Sequence, residues 1–185
     1  MAEPTEIRTE RLLLRPFRLT DADDVYAYAK DPEWAPYLPI PSPYEYRHAE
    51  THVAMSFLVS WDTHPTFAVS LEDTVIGTVQ IRMNTDNVTS ELGYSIARKH
   101  WGKGLMVEAV AAVINWTFEE FDLVKVSARA DIQNRQSWRV MEKLGMKREG
   151  ILRSQEPPNP ANPNERVDMV HYGILREEWE RQTGR

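Results

Sequence analysis

Glu91-Leu92-Gly93-Tyr94-Ser95-Ile96-Ala97-Arg98-Lys99-His100-Trp101-Gly102-Lys103-Gly104-Leu105-Met106-Val107-Glu108 is the stretch that decides the fold. Glu91 to Ile96 reads as a strand. Glycines at 102 and 104 then mark a tight turn, and a helix follows from about Leu105 to Phe121. Its apolar positions Met106, Val110, Val113, Ile114, Phe118 and Phe121 step by four and three, the spacing of one helix face. Val124 to Ala130 places Val124, Val126, Ala128 and Ala130 on one side, the period of a strand. Strand, glycine turn, helix and strand make a βαβ unit. The two strands should therefore run parallel, joined by a right-handed crossover.

Toward the C-terminus, Asn134 opens a further helix that closes at Leu144, with Gly145 as its stop. Lys147 to Leu152 and Val167 to Leu175 read as two more strands. The stretch Pro157-Pro158-Asn159-Pro160-Ala161-Asn162-Pro163-Asn164 between them is a long loop, because its prolines cannot join a ladder. A loop of that length is either a substrate-facing flap or a solvated surface segment.

Toward the N-terminus, Thr66 to Leu71 and Thr74 to Met83 flank a tight Glu72-Asp73 turn and form a hairpin. The second arm alternates Val75, Gly77, Val79, Ile81 and Met83 against polar neighbours. A helix over Tyr44 to Trp61 follows the proline-rich Pro36 to Pro43. Before it, Thr20 is placed to cap a helix whose first turn carries Asp21, Asp23 and Asp24 at the positive end of the dipole. Arg11 to Phe17 is the opening strand. The fold class is α/β, a mixed sheet flanked by about four helices, and residues 1–185 are expected to form one domain.

Composition narrows the function. A net charge of −6 argues against a domain that works by neutralising phosphates along a nucleic acid. Cysteine is absent, which removes disulfides, thiolate metal sites and an acyl-cysteine intermediate. No run of eighteen apolar residues and no secretory leader is visible, so the expectation is a soluble, cytoplasmic protein with no membrane partner. His48 and His52 stand four apart on a helix, a metal-compatible spacing, but no third ligand accompanies them and no metal is expected.

The glycine turn has a chemistry of its own. A strand that bends into a helix leaves backbone N–H groups without internal partners, and these donors favour an anion. Gly102 and Gly104 remove the side chains that would hold a diphosphate away from the backbone, and Lys99 and Lys103 add charge. A dinucleotide fingerprint would need a third glycine where Val107 stands, and a triphosphate loop would need Lys-Ser or Lys-Thr where Leu105 follows. From spacing alone, a pyrophosphate ligand and a purely structural turn both remain open.

Lys99-His100-Trp101-Gly102-Lys103-Gly104 resembles the acetyl-CoA loop of the GNAT superfamily, and Leu105-Met106-Val107-Glu108-Ala109 its helix start. Asn134-Arg135-Gln136-Ser137, running on to Glu142-Lys143-Leu144-Gly145-Met146, is similar to that family's Asn-x-x-Ser…Glu-Lys-Leu-Gly-Phe segment. Thr9-Glu10-Arg11-Leu12-Leu13-Leu14-Arg15-Pro16 looks like the opening of the RimJ/RimL-like branch, which acetylates ribosomal-protein N-termini. The resemblance runs from Thr9 to about Leu175. Two departures stand out: Lys99 replaces the usual Gln or Arg, and the Glu156–Asn164 loop is long for the branch.

The resemblance implies a mostly antiparallel sheet of about seven strands whose two central parallel strands splay around coenzyme A. It implies an N-acetyltransferase that moves acetyl from acetyl-CoA to a primary amine, either a protein N-terminus or a small molecule, by direct attack in a ternary complex. It leaves a homodimer open. The cofactor-binding set it implies is Tyr94, Ser95, Ile96, Lys99, Trp101, Gly102, Lys103, Gly104, Leu105, Asn134 and Ser137. Ser137 is the candidate proton donor to the departing thiolate, and Asn134 would contact the pantetheine arm, although both also suit a helix N-terminus. Glu91 is the candidate base, acting through a water. Asp168 and His171 are acceptor-side candidates, and Trp34, Tyr37, Tyr44 and Tyr46 either wall an acceptor pocket or pack over the core edge. A non-catalytic CoA-binding domain of the same fold would carry the same turn.

Overall fold

The computed structural model describes residues 2–34, 36–38 and 40–185. Eight strands form one sheet in the order β1-β2-β3-β4-β5-β6-β8-β7. They are β1 (Ile7–Arg8), β2 (Leu12–Arg15), β3 (Thr66–Leu71), β4 (Thr74–Met83), β5 (Thr89–Ile96), β6 (Lys125–Asp131), β7 (Lys147–Glu156) and β8 (Val167–Leu175). Five helices accompany them: α1 (Ala22–Ala29), α2 (Tyr46–Leu58), α3 (Leu105–Glu120), α4 (Arg135–Lys143) and α5 (Arg176–Thr183). Among the described residues no helix is long and apolar enough to cross a membrane.

The sheet is antiparallel except for β5 and β6, as the βαβ reading expected. That parallel pair is short. It runs from Thr89↔Lys125 to Leu92↔Ala128 and stops, although β5 continues on β4 and β6 continues on β8. Gly93–Ile96 and Arg129–Asp131 thus part from each other inside one sheet. The site is built at this opening.

Both faces of the sheet are covered, so β3 is buried along most of its length. Phe67 and Val69 of β3, with Val79 and Ile81 of β4, point to the α3 face, where Val110, Val113 and Phe118 meet them. Ala68 and Val75 point the other way, toward Val25 of α1 and Ala49 and Val53 of α2. Each fully buried aliphatic or aromatic side chain of this kind contributes about 1.5–3 kcal/mol. The alternation expected from Val75 to Met83 is interrupted. Register slips between Val69 and Ser70, so Val69 faces Gly77 while Ser70 faces Val75. The extra residue, Ile76, turns to the α3 core, and Val75 ends on the face opposite Val79.

Four expectations change. Thr20 sits in a 3-10 turn, Leu19–Asp21, and does not cap α1. Asp21 is buried and holds Arg15 with two oxygens at 2.7 and 2.9 Å, while the Arg18 N–H donates to it at 2.7 Å. Helix α2 is shorter at both ends than the expected Tyr44–Trp61. Strand β1 and helix α5 were not foreseen: β1 has two residues, and α5 is polar except for the buried Trp179, so neither has a readable period.

Candidate functional site

At the head of α3 the chain turns through Gly102 (φ 74°) and Gly104 (φ 77°), both left-handed and exposed. Beyond its own chain neighbours, no heavy atom of the described residues lies within 4 Å of where a Gly102 Cβ would be, so the space outside the turn is open. Gly104 precedes the helix, whose first intrahelical bond is Glu108 N–H to Gly104 O. The amides of Leu105, Met106 and Val107 therefore have no intrahelical acceptor. Lys99 and Lys103 are exposed, and neither makes an ion pair with any described residue. An open cradle with free amides and two unpaired ammonium groups fits a diphosphate.

Behind the cradle, Trp101 turns inward and its indole N–H donates to Ile96 O at 3.0 Å. The Trp34 indole donates to the same carbonyl at 2.9 Å. The Leu105 side chain is buried in the core, so only its amide faces the cradle. Sequence reasoning missed Arg11. Its guanidinium pairs with Glu108 at 2.7 Å, donates to Lys103 O at 3.1 Å and lies 3.6 Å from a Cβ built on Gly104. Glu108 also accepts from the Thr9 hydroxyl and the Arg11 N–H. Burial pushes its carboxyl up, but these three donors outweigh it and hold the group below its ordinary value.

Along the opening, the Ala97 N–H bonds to Ile76 O on β4, so alternation turns the main chains of Ser95 and Gly93 to β4 as well. Tyr94 and Ile96 present their main-chain groups to the side β6 has left. Because two indoles occupy the Ile96 carbonyl, the free groups there are the two N–H donors and the Tyr94 carbonyl. Ser95, its main chain turned to β4, also lines the cavity.

Asn134 caps α4, accepting the Ser137 N–H at 3.2 Å. The Ser137 hydroxyl donates to the Tyr94 phenol oxygen at 3.2 Å, and that phenol donates to Ser137 O at 2.7 Å. Burial pushes the Tyr94 phenol up despite the Ser137 bond, so it stays neutral. β5 and the first turn of α4 are thus pinned together across the opening.

A cavity of roughly 420 Å³ begins there and extends toward α1 and α2. Glu91, Tyr94, Ser95, Asn134 and Ser137 line one part of it; Trp34, Tyr37 and Tyr44 line another. Tyr46 does not reach it: its hydroxyl donates to Asp23 at 2.8 Å and its ring lies edge-on to Tyr26. Asp168 and His171 do not reach it either. Asp168 accepts the Ser154 N–H, His171 lies 2.6 Å from Gln155, and Val167 and Met169 face the cavity from β8 instead. His48 accepts the Glu45 N–H at 3.0 Å, while His52 stands edge-on to Phe17 and 3.4 Å from the Thr78 hydroxyl.

Each carboxylate in the cavity has partners. Glu91 lies 3.2 Å from Arg82 and 3.3 Å from Arg129, and Arg129 pairs with Glu156 at 2.6 Å. Asp131, buried, accepts the Gln133 N–H at 2.8 Å and the Asn159 side-chain amide at 2.9 Å. Pro157 and Asn159 of the long loop line the cavity. Arg129 and Asp131 sit at the end of a strand whose alternation gave no signal beyond Ala130.

Residues 11–147 match the family model described as the acetyltransferase (GNAT) domain. YnaD of Bacillus subtilis, named an uncharacterized N-acetyltransferase, is 33% identical over 175 residues, which cover 94% of this chain and 98% of that one. A GNAT-family acetyltransferase from Bacillus anthracis has a TM-score of 0.83 at 30% identity, covering 94% of this chain and 100% of that one. A ribosomal L7/L12 alpha-N-protein acetyltransferase, solved with coenzyme A, has a TM-score of 0.83 at 16% identity, covering 94% and 99%. At that identity it speaks to the fold alone.

Proposed function

We propose, for a chain that belongs to the GNAT acetyltransferase family and is an N-acetyltransferase, that it transfers acetyl from acetyl-CoA to a primary amine by direct attack in a ternary complex. The observation that carries this reading is the premature end of the β5–β6 pair beside a left-handed double-glycine turn. One feature opens a slot between strands, and the other offers free amides at its end.

In this reading the amides of Leu105, Met106 and Val107, with Lys99 and Lys103, hold the diphosphate. The Ile96 N–H, the Tyr94 carbonyl and the side chain of Asn134 hold the pantetheine arm. Acetyl-CoA supplies a thioester, whose carbonyl carbon takes the amine lone pair and whose sulfur leaves. The amine must lose its ammonium proton before attack. Glu91 is the proposed acceptor of that proton through a water, with Arg82 and Arg129 fixing its orientation. The Tyr94 N–H is the proposed donor to the developing oxyanion. As the C–S bond breaks and the C–N bond forms, Ser137 gives its hydroxyl proton to the thiolate and regains one from the nitrogen through solvent. To do this the hydroxyl turns its proton from the Tyr94 phenol oxygen, where it rests in the free protein, to the sulfur.

Calorimetry tests the binding half. Acetyl-CoA is expected to bind in the micromolar range, and Gly104→Glu to abolish binding by setting an anion against the diphosphate; unchanged affinity removes the turn from the site. Glu91→Gln tests the base. A drop of about 10²–10⁴ in kcat with unaltered acetyl-CoA affinity supports it, whereas an unchanged kcat assigns the carboxylate to holding its two arginines.

A further inference from the structure

Resting on the acetyl-transfer reading, we infer that the acceptor is a small monoamine carried on an aromatic or apolar body, its ammonium being the only charge it brings. Tyr28, Trp34, Tyr37, Leu38, Ile40 and Tyr44 line the cavity, with His52, Thr78 and Gln80 beside them. Two of its aromatic members are held in place. The Trp34 indole is anchored on Ile96 O, and Tyr28 stands edge-on to it with ring centroids 4.9 Å apart. Burial raises the Tyr28 and Tyr44 phenols above their ordinary value, so the wall is uncharged as well as aromatic. Such a surface takes an apolar ring by burial and edge-to-face contact.

What the cavity lacks excludes the other acceptors. A polyamine or an aminosugar antibiotic brings further ammonium groups, and each needs a carboxylate. Among the described residues the cavity carboxylates are Glu91, Asp131 and Glu156, and all three are engaged: by Arg82 and Arg129, by Gln133 and Asn159, and by Arg129. A second cation would have to displace a guanidinium at Glu91 or Glu156, where Arg129 would repel it, or break the Asn159 amide's bond to the buried Asp131. A protein N-terminus meets a different obstacle, since the rest of its chain must leave the cavity. The two loops lining this side are joined to each other, Ala161 N–H donating to Pro36 O at 2.9 Å, and Asn159 ties the long loop down to Asp131. A volume of roughly 420 Å³, shared with the thioester end, leaves room for about one ring system and its aminoalkyl arm.

Thiol release from acetyl-CoA by the full chain, with 2-phenylethylamine, spermidine or a Ser-initiated hexapeptide as acceptor, tests this, alongside calorimetry with acetyl-CoA. The expected result is a kcat/KM for phenylethylamine at least about tenfold above both others. Tyr44→Ala should raise its KM about three- to tenfold while leaving acetyl-CoA affinity and melting temperature in place. Faster turnover of spermidine or of the peptide overturns the assignment and leaves acetyl transfer standing. Acetyl-CoA binding with no thiol release on any of the three brings down the transfer reading, and this assignment with it.

Discussion

Gly102 shows how much one residue decides. Its φ of 74° is inexpensive for glycine, yet nothing surrounds the position that a methyl group would strike. Gly102→Ala should therefore cost about 1–2 kcal/mol of stability from backbone strain alone, read by thermal unfolding. The same methyl would enter the open cradle, so acetyl-CoA affinity should fall more than tenfold; affinity that survives intact would show that the ligand does not approach this side of the turn. Glycines 102 and 104 were legible in the sequence because φ and bareness are properties of the residue itself. Arg11 was not, because it reaches the turn from a strand far away in sequence and signals nothing locally.

The α4 element joins two duties at its first turn. Asn134 caps the helix, and Ser137 is locked to Tyr94 of β5 through its hydroxyl and its carbonyl. Asn134→Ala should destabilise the protein by about 1 kcal/mol, the usual cost of a lost cap. If the side chain also holds the pantetheine arm, the variant will in addition raise the KM for acetyl-CoA; an unchanged KM leaves it a cap alone. Tyr94→Phe separates positioning from chemistry. Losing the phenol frees the Ser137 hydroxyl and unpins α4 from β5, so kcat should fall several-fold while calorimetric affinity for acetyl-CoA changes little. A variant that loses affinity and keeps kcat would place Tyr94 in binding. The boundaries of this helix were readable because Asn134 and Gly145 are end signals, whereas the phenol that pins it lies forty residues upstream and only the sheet delivers it.

Over the whole molecule, burial sets an acid limit on stability. His52, His100 and His171 all have imidazoles held below the ordinary 6.5, in each case chiefly by burial. The unfolded chain thus takes up protons before the folded one as pH falls. Their contribution is whole above about pH 6.5 and is lost progressively below it. Melting temperature should decline between pH 7.5 and 5.5, and His52→Gln, which removes one of the three, should flatten that decline; an unaltered slope would locate the acid sensitivity elsewhere. The buried Arg15–Asp21 pair is a second global feature. Asp21→Ala strands a buried guanidinium and is expected to cost about 3–5 kcal/mol, measured by chemical denaturation.

The sequence by itself determined the βαβ unit, the β3–β4 hairpin, the ends of α3 and α4 and the glycine cradle. Each of these is written in a local period or in a residue with a special backbone, and local interactions suffice to impose it. Only the tertiary structure decided which groups face one another. It stopped the β5–β6 pair at Leu92↔Ala128, set Glu91 between two arginines, turned Ile76 through a bulge and brought Pro36 to Ala161. Those outcomes depend on contacts between positions distant along the chain, and packing of the whole sheet selects among them, so no period in the sequence encodes them.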